Sequence, residues 1–169
     1  ISKFYEFQRN VLIVHKGVNE KTFGRRKRID VWWGGLKGNG GLMMILAYLT
    51  NSSLGWRDAH VHIKMVVQDQ DAVDTTRNNI SQILREIRIE AKTDIIASRG
   101  RTFSEILHTN SHSADLIFMG LAKPDENFET YYEKIQERLD GLPTTVLALA
   151  AQEISFGEVL IKKDTMADS

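Results

Sequence analysis

The chain has no cysteine. That excludes a disulfide framework, a thiolate nucleophile and a Cys-based zinc site, and it fits a reducing, cytosolic compartment. Neither sign of charge is in excess: 22 basic side chains stand against 22 acidic ones, a formal net charge of zero. Nucleic-acid binding through bulk charge is therefore not expected, since neutralising phosphates needs a surplus of Lys and Arg. No apolar run reaches the roughly 18 residues that a membrane-spanning helix needs. The longest, Leu42 to Leu49, has the length of a buried helix. No repeat or low-complexity tract is present either. The chain opens at Ile1, without an initiator methionine, straight into a charged and aromatic segment, as expected of a piece cut from something longer. Its Asn-x-Ser triplets, at Asn51 and Asn79, are chance matches in a cytosolic reading.

What is present is alternation. Apolar runs of strand length are interleaved with helical patterns, the signature of βαβ units around a parallel sheet. Strands are expected at Asn10 to His15, Ile29 to Trp33, His60 to Val67, Thr93 to Ala97, Leu116 to Met119, Thr144 to Ala150 and Glu158 to Lys162. Helices are expected at Gly41 to Thr50, after a cap at Asp74 or Thr75, around Phe103, Ile106 and Leu107, and from Phe128 to Leu139. Ile80, Ile83, Leu84 and Ile87 fall at i, i+3, i+4 and i+7, one apolar stripe facing a sheet. Gly141 and Pro143 end the last helix. Right-handed crossovers turn this order into an α/β fold: a three-layer α/β/α domain over residues 1–162, with a mostly parallel, doubly wound sheet and a polar tail over 163–169. The core is expected to be led by Val31, Trp33, Leu46, Ile63, Val66, Ile83, Leu84, Ile87, Ile117, Met119, Leu139 and Val146.

Several stretches invite a chemical reading, and each has a plainer one. Gly34, Gly35, Gly38, Gly40 and Gly41 lie between a strand and a helix, where backbone amides can hold a phosphate. The dinucleotide fingerprint fails because Leu42 and Met43 follow Gly40 and Gly41, and the Walker pattern fails for want of Lys-[Ser/Thr] after the last glycine. Lys37 is the one charged helper in that loop, and glycine used to turn the corner is the plainer reading. His60 and His62 share a strand face, and His108 and His112 share a helix face at i, i+4. No carboxylate lies between the latter pair, so surface histidines are expected rather than metal ligands. His15 stands alone. Asp69 and Asp71 after a strand read as solvated loop residues, and Lys123 has no nucleophile–base partner nearby. No nucleophile elbow follows any strand. The basic run Arg25-Arg26-Lys27-Arg28 could meet anionic lipid headgroups or a partner, or be a solvated loop with no function. From the residues alone, no catalytic, cofactor or metal site is assigned.

Two stretches carry a resemblance beyond composition. "RIDVWWGGLKGNGGLMMILAYL" (Arg28 to Leu49) resembles the cation-chloride cotransporter motif of an I-D-V-W/Y-W strand, a short loop ending in Gly-Gly and an apolar helix. "ILREIRIEAKTDII" (Ile83 to Ile96) is similar to that family's later L-x-x-[LF]-R-I-x-A/F segment. "GWRDAHVHIKMVV" matches the strand entry between them, and "DLIFMGLAKP" with "LPTTVLALA…GEVLI" is similar to the family's last strands.

The resemblance implies the C-terminal cytoplasmic domain of a membrane transporter that moves chloride with sodium or potassium, built like the universal stress proteins and corresponding mainly to the second of two related halves. It implies a regulatory and dimer-forming module with no catalysis and no cofactor, partnered by a second copy and by the transmembrane part of the same polypeptide. The alternative is a free-standing nucleotide-binding stress protein. Against it, the stress-protein phosphate motif G-x-x-G is broken, because Gly120 is followed by Leu-Ala-Lys and no glycine recurs until Gly141. The strand at Thr93 to Ala97 reaches the next helix through "SRGRT" alone, without the long phosphorylated insertion of eukaryotic members, which implies a compact prokaryotic member.

Overall fold

The computed structural model describes residues 1–17, 23–34, 38–86 and 89–152. Their elements run α1 (Ser2–Glu6), β1 (Val11–His15), β2 (Arg28–Trp32), α2 (Asn39–Ser52), β3 (His60–Val67), α3 (Ala72–Glu86), β4 (Lys92–Ala97), α4 (Phe103–Ser111), β5 (Leu116–Gly120), α5 (Phe128–Leu139) and β6 (Thr145–Leu149). Six strands form one sheet in the order β1-β6-β5-β2-β3-β4. All neighbours are parallel except β1, which lies antiparallel on β6 and forms one edge. The expected strand at Glu158 to Lys162 and the tail lie outside the described residues, as do Ile87, Gly35 and Lys37.

Apolar side chains of successive strand residues point to opposite faces, so the sheet has two cores. On one face α2 and α3 cover Ile29, Val31 and Ile63 with Met43, Met44, Ile80 and Leu84. On the other, α4 and α5 cover Trp32, Ile117 and Leu147 with Ile106, Leu107 and Leu139. The adjacent tryptophans part company by this rule: Trp32 belongs to the second core and Trp33 to the first. Among the expected core residues, Val31, Trp33, Ile63, Leu84, Ile117, Met119 and Leu139 are buried. Leu46, Val66, Ile83 and Val146 are half-buried at the margins of the two cores.

The helix expected to be capped by Asp74 or Thr75 begins earlier, at Ala72. The amides of Ala72 and Val73 donate to the carbonyls of Asp69 and Gln70, and Val73 is drawn into the core at 5% exposure, which winds the first turn ahead of Asp74. Asp74 instead accepts from Arg77 at 2.6 Å within that turn. α4 is capped as the physics prefers: Thr102 Oγ1 accepts the Glu105 amide at 3.3 Å while the Glu105 carboxylate accepts the Thr102 amide at 2.7 Å. Donation from the Thr102 amide, and from its hydroxyl at 2.9 Å, holds the Glu105 carboxyl below its ordinary value.

β2 and β5 are neighbours, yet the chain leaves β2 for one face and β5 for the other. Their carboxyl ends therefore form a topological switch point, the place where open α/β sheets present a crevice.

Candidate functional site

A crevice of about 500 Å³ opens at that switch point, with Trp32, Trp33, Gly40, Gly120, Phe103 and Tyr131 among its walls. α2 starts in it after Gly38, whose φ of +66° needs glycine, and no side chain among the described residues caps the helix's first amides. Trp33 is 4% exposed, and its indole Nε1–H has no hydrogen-bond partner among the described residues. An unmade hydrogen bond of that kind costs about 1–3 kcal/mol.

Asn39 closes the crevice on one side. Its Nδ2 donates to the Leu121 carbonyl at 2.6 Å, and its Oδ1 accepts the Ala150 amide at 2.7 Å. The side chain thus joins the start of α2 to the ends of β5 and β6. It also fills the space above Gly120, where an added Cβ would come within 2.9 Å of Asn39 Nδ2. Replacing Asn39 by Ala is expected to lower unfolding free energy by about 1–3 kcal/mol, because a carbonyl and an amide are left unpaired at the strand ends. Urea unfolding of the two proteins measures this. A change under a few tenths of a kcal/mol would refute the bridging role.

Among the described residues, the cations lining the crevice, Lys64 and Arg138, are already engaged. Arg138 lies over the Phe103 ring, 5.5 Å from its centre. Lys64, 3% exposed, turns its ammonium to Asp94 at 2.8 Å and toward Asp30 at 3.9 Å. Lys64 leads into a ladder of charges under α4 that crosses three strands. The parallel register sets Trp32 beside Lys64 and Lys64 beside Asp94. Asp30, fully buried, accepts from Arg28 through Nε at 2.9 Å and Nη2 at 3.2 Å, and from Ser111 Oγ at 2.6 Å. Ser111 in turn accepts the Trp32 indole N–H at 3.0 Å. Arg28 Nη2 also donates to the Asn110 carbonyl at 2.7 Å, a cation at the negative end of α4. His62 Nδ1 stands 2.9 Å from Asp94 at the solvent side.

Burial pushes the Asp94 carboxyl up, but hydrogen bonds from Lys64 and His62, and their charges, outweigh it and hold the group below its ordinary value. A depressed folded value means that the contribution of Asp94 to stability is present above the unfolded value, about pH 4, and lost as pH falls through the folded value. The stability gap between the parent chain and Asp94→Asn should therefore hold at neutral pH and narrow below about pH 4. Urea midpoints across an acid series test this, and a gap constant to pH 2 would contradict it.

The other sequence candidates do not converge. His108 Nε2 meets the Arg138 carbonyl at 2.8 Å, while His112 Nδ1 lies 3.2 Å from the Thr109 carbonyl, so the i, i+4 pair is spent separately. Asp69, Asp71 and Lys123 are exposed, and His60 is exposed at the start of β3. Asp30, Lys64, Asp94 and Ser111 were not singled out in the sequence. Their signal was present: a charge in the middle of "RIDVWW" and another in "HVHIKMVV" break apolar strands.

Comparison with protein families matches residues 9–101 to solute carrier family 12. The chain belongs to this family. The matched span runs from the start of β1 past the end of β4 and so contains Asp30, the three core tryptophans, Lys64 and Asp94. Among solved structures, the fold is similar to that of the cytoplasmic domain of a prokaryotic cation chloride cotransporter, with a TM-score of 0.70 at 16% identity over 94% of this chain. This solute carrier segment spans 59% of the length of that solved chain. No helix among the described residues is long and apolar enough to cross a membrane.

Proposed function

We propose that this chain is a cytoplasmic regulatory and dimer-forming domain of a transporter that moves chloride with sodium or potassium, tethered to the membrane part of the same polypeptide and without catalysis of its own. The match of residues 9–101 to solute carrier family 12 carries the reading, and the likeness to a cotransporter's cytoplasmic domain supports it. The absence of catalysis is supported by the site's chemistry: the carboxylates, Lys64 and Ser111 of the ladder are paired with one another, and Asp30 is closed to any substrate. The upstream sequence of the gene decides it. Several segments of about 20 apolar residues each are expected there, and a full-length protein without them would overturn the assignment.

Dimer formation is supported by the edge at β1, one face of which carries Leu12 at 46% and Val14 at 58% exposure among the described residues. An edge strand offers unpaired N–H and C=O groups, and twofold pairing is the common way to satisfy such a surface. Sedimentation equilibrium of the intact cytoplasmic region at tens of micromolar, where mass action favours pairing, should give a dimer. A monomer there, together with a monomeric full-length protein in detergent and in lipid, would defeat the idea.

A second reading, nucleotide binding, is favoured by the Trp33 N–H and the start of α2, which lie in one crevice without a hydrogen-bond partner or side-chain cap among the described residues. Asn39 over Gly120 and the engaged cations stand against it. Calorimetric titration with ATP and ADP, with and without magnesium, separates the two. Low-micromolar binding that is lost when Gly40 is replaced by a bulky residue would favour nucleotide.

A further inference from the structure

At the amino ends of β2 and β3, opposite the crevice, two loops are locked together around an aromatic pair. Phe23 sits edge-on to Trp56 with ring centres 5.9 Å apart and planes at 73°. Trp56 is buried and closes a turn in which its amide donates to the Ser53 carbonyl at 3.0 Å. The corners of that turn are Leu54 and Gly55, and Leu54 is 83% exposed. Arg26 lies across Gly55, close enough that an added Cβ would stand 2.8 Å from the guanidinium. The cationic side chain and the protruding leucine are thus held side by side.

The basic loop is built to keep its side chains outward. The carboxylate of Asp115 accepts three backbone amides, those of Arg25 at 2.8 Å, Lys27 at 2.7 Å and Arg28 at 2.9 Å. Arg26 takes a φ of +57°, a conformation that a non-glycine residue adopts only when its surroundings fix it. Arg25, Arg26 and Lys27 are all exposed, and Arg57 is exposed just beyond the turn. Lys27 is paired with Asp58 at 3.0 Å, whereas Arg25, Arg26 and Arg57 have no ion-pair partner among the described residues. In a chain with no net charge, three arginines without an ion-pair partner among the described residues, close to an exposed leucine, form a local basic patch.

We infer that this double loop is a contact surface for an anionic lipid bilayer, with Leu54 entering the headgroup region and Arg25, Arg26 and Arg57 binding lipid phosphates and carboxylates. The inference rests on the reading of the chain as a domain that works beside a membrane. Its own support is the charge complementarity and the shape. A turn that exposes one leucine next to the Arg26 side chain suits the boundary between headgroups and acyl chains, which is wet, negative and deformable. Leu49 and Tyr48, 56% and 40% exposed in the last turns of α2, extend apolar surface toward the same end.

Co-sedimentation of the 169-residue chain with phosphatidylcholine vesicles, with and without roughly 30% phosphatidylserine, tests it. Binding is expected only to the anionic vesicles and should fade toward 1 M salt, where the screening length drops to about 3 Å. Arg25→Gln with Arg26→Asn should weaken it about 25-fold, fivefold for each cation. Asn is chosen because it tolerates the positive φ. Leu54→Ser should weaken it about tenfold while leaving the salt dependence in place. Circular dichroism of each variant confirms the fold. Equal binding to both kinds of vesicle, no binding to either, or full binding by the double variant would overturn the inference. So would binding to soluble polyglutamate with none to vesicles, which would assign the patch to an acidic protein. None of these outcomes touches the family assignment, whose failure would show in the upstream gene.

Discussion

Replacing Asp30 by Ala is expected to remove about 3–5 kcal/mol of unfolding free energy, the cost of orphaning buried charge. Asp30 is fully buried and holds the guanidinium of Arg28 through both oxygens, with Ser111 as a third donor. Without it, Arg28 keeps its bonds to Ser113 and the Asn110 carbonyl but loses its counter-charge. Lys64, at 3% exposure, keeps only the outer carboxylate of Asp94. Lys64→Met provides the contrast. Its loss leaves Asp30 with Arg28 and leaves Asp94 with His62 and water, so a cost of no more than about 1 kcal/mol is expected. Urea denaturation of both variants decides the matter. Equal losses, or a loss under about 1 kcal/mol for Asp30→Ala, would show that the ladder is not organised around Asp30.

The second large effect is expected at Trp32. Trp32→Ala should cost about 3–5 kcal/mol, because the ring fills the core beneath α4 and α5. It packs edge-on to Phe103 at 5.3 Å between centres, and it is 6% exposed. Trp32→Phe keeps most of that packing and loses the indole donation to Ser111, a loss of about 1 kcal/mol. Since Ser111 passes its own hydrogen to Asp30, Trp32→Phe and Ser111→Ala should not be additive. A double-mutant cycle by urea unfolding measures this, and strict additivity would mean that the indole and the carboxylate are not coupled through the hydroxyl.

The sequence was most legible where one period dominates. "HVHIKMVV" reads as a strand and is β3 from His60 to Val67; the amphipathic stretch from Phe128 to Leu139 is α5 with the same bounds. In α3 the reading failed at the start, because a single buried valine, Val73, contributed more than the cap propensity of Asp74. In the glycine-rich turn, the sequence showed where glycine was needed but not what the first side chain of the helix would meet. Asn39 fills the space above Gly120 in β5 and bonds to Leu121 and Ala150, residues 82 and 111 positions away.

Local pattern alone therefore determined the six strands and four of the five helices of the described residues (the short α1, Ser2–Glu6, was not expected), which face each strand residue presents, and which family the chain resembles, because all depend on neighbours within a few positions. Charges inside apolar strands were equally visible in Asp30 and Lys64. Their partners were not. Whether Lys64 meets Asp94, or Asp30 meets Ser111, depends on β2 lying between β5 and β3 and on α4 crossing that face, and these are facts of strand order rather than of periodicity. The antiparallel placing of β1 on β6 and the edge-on contact of Phe23 with Trp56 across the two loops belong to the same class. Contacts between residues far apart in the chain are settled only when the whole sheet closes, because each is stabilised by burial that no single segment can supply by itself.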